Sequence, residues 1–430
     1  MKRNLTSMRH GWKCATAIFL LSATITAPRA GLADDAEVLP KNVSRFYWDF
    51  YRYHPTTHRY NADGEREALA HPFTDAALDS SVLTSLAPLD AFVPGKATLG
   101  DVAIKYEYDI DVLDLGYSYG LTESLSIGFH IPYYWISNNV DTALDTSSAN
   151  VGLNPVTGEC CIPLALGGVV MDTDDVQNLV MDEYGFSEID DWSREGIGDT
   201  ELGAKYRFYQ QQDSAFAITG GLRIPTGYED DADKLNDVAW SYGNYALLLR
   251  LHYDYLLSNL WSKSASSLQT LPARGDLVAN LALRYDYMLP DSKIMRIGDT
   301  PDQILTSNRE RVDRELGDLY NLEAALKYYA SDAIAFGLVY TYGGKFKDDI
   351  DGDEGYNYSS LEKDTDSSQQ IVKLEASYST LPAYQAQRSR LPMEFSLAYR
   401  ERFKGDGPSS GQANPVLYTR WVVAGMKFWF

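Results

Sequence analysis

The chain is short of cysteine, of positive charge and of long apolar runs. It holds 3 Cys in 430 residues, two of them adjacent at Cys160 and Cys161. That excludes a disulfide scaffold and any multi-cysteine zinc or iron–sulfur domain. Against 60 Asp+Glu stand only 38 Lys+Arg, a net charge of −22. A nucleic-acid binder needs a basic face to displace counterions, and none is encoded. Beyond residue 33 no stretch is apolar for the 18 or so residues that a spanning helix requires. No nucleotide, phosphate or cofactor motif is present, so no cofactor is expected. What the chain does have is 31 Tyr, 15 Phe and 8 Trp, residue types that favour strands.

Residues 1–33 read as a secretory signal. Lys2, Arg3, Arg9 and Lys13 precede the apolar run Cys14–Ile25, and small residues follow, with cleavage expected after Ala33. Cleavage removes five basic residues and no acid, leaving 33 basic against 60 acidic residues, a mature charge of −27. Residues 34–430 are expected to form a single domain in the outer membrane of a Gram-negative bacterium.

The remainder alternates apolar and polar residues with period two, the pattern of a strand with two unlike faces. Leu202, Ala204, Tyr206 and Phe208 oppose Gly203, Lys205 and Arg207; Leu281, Leu283, Tyr285 and Tyr287 oppose Ala282, Arg284 and Asp286. A soluble sandwich also alternates. Here, however, the polar rows carry charges of both signs, and Tyr and Phe cap the ends of the apolar rows. That arrangement fits aromatic girdles around a lipid-facing surface and a polar lumen.

About twelve strands are predicted, with ten or fourteen as the alternatives, at about 44–60, 100–119, 123–134, 197–210, 214–226, 239–257, 275–290, 316–330, 333–345, 367–380, 392–404 and 415–430. Long and medium connections (61–99 and 135–196 the longest) alternate with mostly short ones. The expected fold is therefore all-β, a transmembrane antiparallel up-and-down β-barrel with long extracellular loops and short periplasmic turns. In the second strand the row Val102, Ile104, Tyr106, Tyr108 is out of phase with Leu113, Leu115, Tyr117, Tyr119. Either a bulge near Val112 restores the phase, or the upper half leaves the lipid. At the C-terminus Val422, Ala424, Met426, Phe428 and Phe430 share one face, and a terminal Phe resembles the sorting signal read by the barrel assembly machinery.

Two stretches, Tyr119–Tyr133 (YGLTESLSIGFHIPY) and Gly198–Phe208 (GDTELGAKYRF) with Ile218–Gly227 (ITGGLRIPTG), resemble the outer-membrane barrel family of the meta pathway of phenol degradation. Leu39–Arg45 is similar to the first strand of that family. The resemblance implies a barrel and passage of small, often aromatic, compounds; it carries over no site residue. In broad style the chain is also similar to long-chain fatty-acid channels. Those have an N-terminal hatch, for which about ten residues before the first strand leave no room, so a folded-in loop is expected to fill the lumen instead.

The alternation sends Glu201, Lys205, Arg207, Arg223, Arg250, His252, Asp254, Arg284, Asp286, Glu323, Lys327, Lys373, Glu375, Arg400 and Arg402 into the lumen. They either select solutes in a water-filled pore or pair across strands in a filled barrel. The loop 135–196 holds 12 acids, one base (Arg194) and the apolar stretch Ile162–Met171, expected as a constriction or a lid. Asp349, Asp351 and Asp353 stand at EF-hand positions 1, 3 and 5 and suggest a loop-bound calcium, although Glu354 and Ser360 occupy positions 6 and 12. Catalytic residues are not expected: His130 and His252 are the strand histidines, and Ser126 is four residues from His130, too far along a strand for direct attack. The function expected is passive outer-membrane passage of small solutes, aromatic or hydrophobic by resemblance, polar or cationic by charge. A non-transporting surface barrel acting in adhesion or envelope integrity is the third expectation. Membrane lipid, lipopolysaccharide, the assembly machinery and a small solute are the expected partners.

Overall fold

In the computed structural model, residues 34–74, 76–261, 267–408 and 415–430 are described. The export signal expected over residues 1–33 lies outside the described residues. The barrel strands are β1 (Ser44–Tyr53), β2 (Thr98–Thr122), β3 (Leu125–Asp145), β4 (Trp192–Ile197 continuing as Thr200–Gln210), β5 (Ser214–Ile224), β6 (Ala246–Leu256), β7 (Leu277–Met288), β8 (Leu319–Tyr329), β9 (Ile334–Lys345), β10 (Ser367–Ser379), β11 (Met393–Asp406) and β12 (Arg420–Trp429). Each pairs antiparallel with its neighbour in sequence. The lower half of β4 continues the ladder to β3 through Gly198 N–H to Pro132 C=O at 2.7 Å and Arg207 N–H to Ser124 C=O at 2.8 Å. Strand β12 closes the ring on β1, from Arg45 opposite Trp429 to Tyr53 opposite Trp421, and the Phe430 amide donates to the Ser44 carbonyl at 3.0 Å. The result is a closed up-and-down barrel of twelve strands. Closure leaves no sheet edge, as hydrocarbon demands of any strand structure that crosses it.

The period-two rows face as the pattern requires. Leu247, Leu249 and Leu251 of β6, Leu281 and Leu283 of β7 and Leu322 and Leu326 of β8 are exposed on the outside. Aromatic girdles bracket them. At the periplasmic end Phe208, Phe216, Tyr253 and Tyr255 run round the wall, with Phe216 stacked on Tyr253 at 4.5 Å. Tyr117, Phe428 and Phe430 continue the belt across the closing seam. At the opposite end lie Tyr133 with Trp135, Tyr320 with Tyr342, and Tyr340 with Phe403.

The phase change in β2 is not a bulge. Its ladders to β1 and β3 run without a register shift through Val112. Ile104, Tyr106, Tyr108, Ile110 and Val112 are all buried and face inward, whereas Leu113 and Leu115 face outward. With 25 and 21 residues, β2 and β3 are about twice the length a bilayer needs. Their upper halves stand above the lipid, where the outer face takes Lys105 and Glu107 and the inner face is free to be apolar.

Several connections differ from expectation. Strand β6 starts at Ala246 and not near 239, because residues 239–245 fold into the barrel mouth. Strand β1 stops at Tyr53, and His58–Tyr60 instead joins a small outer sheet with Arg66–Ala68 and Val416–Tyr418. The long acidic loop holds the hairpin Val151–Leu153/Cys160–Pro163 and helix α1 (Thr173–Tyr184). Asp172 and Asp175 form a capping box at the start of α1, and left-handed Gly185 (φ 74°) ends it. Met171 and Val176 pack with Leu83, Leu86 and Leu305 in an outer cap. Of the apolar stretch Ile162–Met171, Met171 is buried in this cap while Leu166, Val169 and Val170 are exposed. Cys160 and Cys161 form a vicinal disulfide in that hairpin.

Arginine at Leu283, which is flanked by Leu251 and Leu322 on the outer face, should lower unfolding free energy by about 2–4 kcal/mol. Urea titration in phospholipid vesicles measures it, and a change within 0.5 kcal/mol (~twofold in the equilibrium constant) would mean this row does not meet lipid.

Candidate functional site

The lumen is filled in three layers. The lowest is the chain's own leader. The Asp34 carboxylate lies against Arg250 and 3.4 Å from His252 Nδ1, and the Asp34 amide donates to Glu323 at 2.7 Å. Lys205 Nζ donates to the Asp35 carbonyl at 2.7 Å. The Ala36 amide donates to Asp254 at 3.0 Å, and the Leu39 amide to Ser126 Oγ at 2.8 Å. Room for this segment comes from small residues: Ala36 packs against Ala215 and Ala217 of β5. A side chain at Gly120 would overlap the Pro40 carbonyl. The expectation of a folded-in loop is therefore corrected at this level, since about ten residues suffice once the facing wall is alanine and glycine.

The middle layer is ionic. Asp114 (β2) bonds His130 Nδ1 at 2.8 Å, His130 Nε2 meets Glu201 (β4) at 3.2 Å, and Glu201 meets Arg284 (β7) at 3.3 Å. Arg284 holds Asp286 through Nε at 2.6 Å, and Asp286 meets Arg223 (β5) at 3.3 Å. On the other wall Lys373 pairs with Glu375 at 2.8 Å and Lys427 with Glu394 at 2.8 Å. Lys327 lies over the Tyr329 ring, Arg207 donates to the Glu123 carbonyl at the lower rim, and Arg400 is buried. All the residues expected inside thus project inward, but most are engaged with one another or with the leader. Asp114, His130, Glu394 and Lys427 were not on the expected list, although the same parity could have found Glu394 and Lys427. A buried pair repays its desolvation only with such extra bonds, and His130, Glu201, Arg284 and Asp286 each have them.

The strand histidines are engaged with other groups. Both His130 nitrogens are held by carboxylates, and His252 Nε2 meets Thr219 Oγ1 at 2.8 Å.

Above the charges the lumen opens into a chamber of about 360 Å³ in its extracellular half. Its wall carries Tyr53, Tyr108, Tyr134, Ile136, Ile371 and Trp421, and Trp240 and Tyr242 enter from the loop 225–245. Tyr53 stacks on Trp421 at 5.1 Å, Tyr134 on Trp240 at 5.9 Å, and Tyr228 backs Trp240 at 5.0 Å. The Trp240 indole is fixed by the Ile197 carbonyl at 2.9 Å, where β4 breaks at Gly198 and Asp199. Burial, helped by the Asp237 carboxylate, raises the Tyr228 phenol above its ordinary range. Burial likewise raises Tyr242, against the lowering influence of Arg223. Both stay neutral at physiological pH.

Salt bridges hold the roof. Arg296 donates to the Tyr184 and Gly185 carbonyls that end α1 (2.6 and 2.8 Å), to Thr306 at 2.7 Å and to Asp233 at 2.9 Å, and lies over Phe186. Lys293 pairs with Asp230 at 2.6 Å and Arg194 with Asp237 at 2.9 Å.

The proposed calcium ligands sit elsewhere. Asp349–Asp351 is a short strand whose Ile350 is buried with Ile297, Val312 and Leu361, while Asp349 and Asp351 are exposed. Asp353 gives its amide to Glu310 at 2.6 Å. Among the described residues no group of three or more His, Cys, Asp or Glu is arranged to hold a metal ion.

No protein-family model and no curated protein matches the chain. Solved structures similar to it include an outer-membrane channel of Pseudomonas putida F1 (11% identity, TM-score 0.49, covering 93% of this chain and 99% of that one). The toluene transporter TodX of Pseudomonas putida aligns at 9% identity, TM-score 0.34, with 91% and 90% covered. A Pseudomonas aeruginosa FadL homologue aligns at 10%, 0.28, with 90% and 89% covered. At these values none transfers a function, and the fold stands on the ladder registers above.

Refolded protein lacking residues 34–39 should conduct severalfold more ions in planar bilayers than the protein that retains them, because the lowest layer is then gone. Unchanged conductance would show that the ionic layer alone closes the lumen.

Proposed function

We propose that the protein is an outer-membrane channel that passes small hydrophobic or aromatic compounds down their gradient. The observation that carries this reading is the chamber: a cavity of about 360 Å³ whose wall sets a cluster of tyrosine and tryptophan rings among charged side chains, in the extracellular half of a lumen closed below by charge pairs and the leader. A general porin needs a continuous water path, which these layers interrupt. A concave cavity that combines aromatic surface with placed polar groups is instead what small-molecule recognition uses. The leader is short and held by a handful of hydrogen bonds, so it can be displaced without unfolding the wall. Export through the signal, assembly through Phe430 on its outward row, and contact of the outer loops with lipopolysaccharide belong to the same reading.

Toluene should quench the intrinsic tryptophan fluorescence of the protein in non-ionic detergent, saturably, while the intact protein stays largely silent in planar bilayers. Trp240→Ala should weaken toluene binding about tenfold or more, since a buried indole contributes 150–250 Å² of contact. An open ohmic pore with no saturable binding would overturn the proposal in favour of a porin.

A further inference from the structure

The chamber is not uniformly apolar, and its charges differ in one respect. Apart from Lys234, which is exposed to solvent, the cations on its wall are held inside: Lys293, Arg296, Arg314 and Lys345 each face a carboxylate, Asp230, Asp233, Asp291 and Asp348. Arg402 of β11 does not. Its Nε donates to the neutral Gln369 side chain at 2.8 Å and its Nη1 to the Leu417 carbonyl. Its Nη2 makes no hydrogen bond to any described residue, and no described carboxylate lies within 4.0 Å of the guanidinium. The adjoining segment 409–414 lies outside the described residues, but its sequence contains no Asp or Glu. Arg402 is only partly buried although it points into the barrel, because it borders the chamber. On the same wall the Trp421 indole N–H, in a residue 2% exposed, has no acceptor among the described residues.

A cation taken from water and given only neutral oxygens is poorly compensated, and the remedy at hand is an anion from outside. The planar guanidinium fits a carboxylate with two parallel hydrogen bonds. The rings of Tyr53, Tyr108, Tyr134, Trp240 and Trp421, which line the same cavity, fit an aromatic body. Building on the channel reading above, we propose that the preferred solute is an aromatic carboxylate, with Arg402 as the specificity-determining residue that receives its carboxylate. The acidic exterior does not oppose this once the solute is inside. Surface charges more than about 8 Å away are screened at physiological salt, whereas Arg402 acts at contact.

The test is calorimetry on the full chain in non-ionic detergent with benzoate and its neutral counterpart benzyl alcohol, and with Arg402→Gln and Arg402→Lys. Wild type should bind benzoate about tenfold more tightly than benzyl alcohol, the scale of one charge-assisted bidentate pair. Arg402→Gln should abolish that preference while holding benzyl alcohol within about twofold, and Arg402→Lys should keep part of it. Should Arg402→Gln not fold, the wild-type preference must still shrink severalfold between 50 mM and 1 M NaCl. Equal or tighter binding of benzyl alcohol by wild type would overturn the carboxylate assignment and leave the aromatic channel standing. Binding of neither compound would overturn the channel reading itself.

Discussion

Every peptide N–H and C=O inside hydrocarbon must find its partner in the chain itself, because no water is there to serve. A sheet meets that demand only by closing, and here the closure runs through Ser44 and Phe430 on one seam and Pro132 and Gly198 on another. Once the ring is shut, each strand has one face in lipid and one in a confined interior. Leu247, Leu249 and Leu251 go out; Arg250, His252 and Asp254 go in. The interior is then too narrow to leave so many charges in bulk water, and they settle by pairing across strands. The ionic layer is thus a consequence of the lipid-facing row as much as a feature in its own right.

That constraint ends where the lipid ends. In β2 the inward residues change from Asp114 at the ionic layer to Val112, Ile110 and Tyr108 above it. Above the membrane the outer face meets water, so polarity inverts and the lumen turns aromatic. The chamber exists because β2 and β3 continue about a membrane's thickness past the bilayer and because the loop 225–245 lays Trp240 and Tyr242 across their inner face. Arg296 ties that roof to α1 and to the segment at Thr306, so one side chain joins three loops.

The aromatic chamber, with its bound charges, and the charged layer below it ask different things of a solute. On the proposed reading, rings in the chamber reward aromatic area. The layer beneath offers paired charges and a leader that has to yield. A molecule held above must exchange those contacts for weaker ones to descend, which separates recognition from passage along the barrel axis. Small residues, Ala215, Ala217 and Gly120, make the leader's seat, and at Gly120 the fit is close enough that no side chain could be added.

The alternating rows by themselves gave the antiparallel order, a strand number of about twelve and most of the inward-facing residues, because period two is a local property that any nine or ten consecutive residues display. The same parity sent Glu201, Arg284 and Asp286 inward. It could not say that these three meet, since β4 and β7 are far apart in sequence and neighbours only across the lumen. The tertiary structure alone decided that the leader, and not a loop, fills the lower lumen, because the vacancy it occupies is made by residues on other strands. It alone gathered Trp240 from a loop, Tyr108 from β2 and Trp421 from β12 into one wall. Asp349, Asp351 and Asp353 were legible only as a spacing that suggests a cation loop; that the first two lie in a short strand paired with Glu315 and Asp313, with Ile350 buried between them, came from the tertiary structure. Local pattern reports what a residue's neighbours in the chain require, whereas a cavity is defined by atoms the chain brings together from afar.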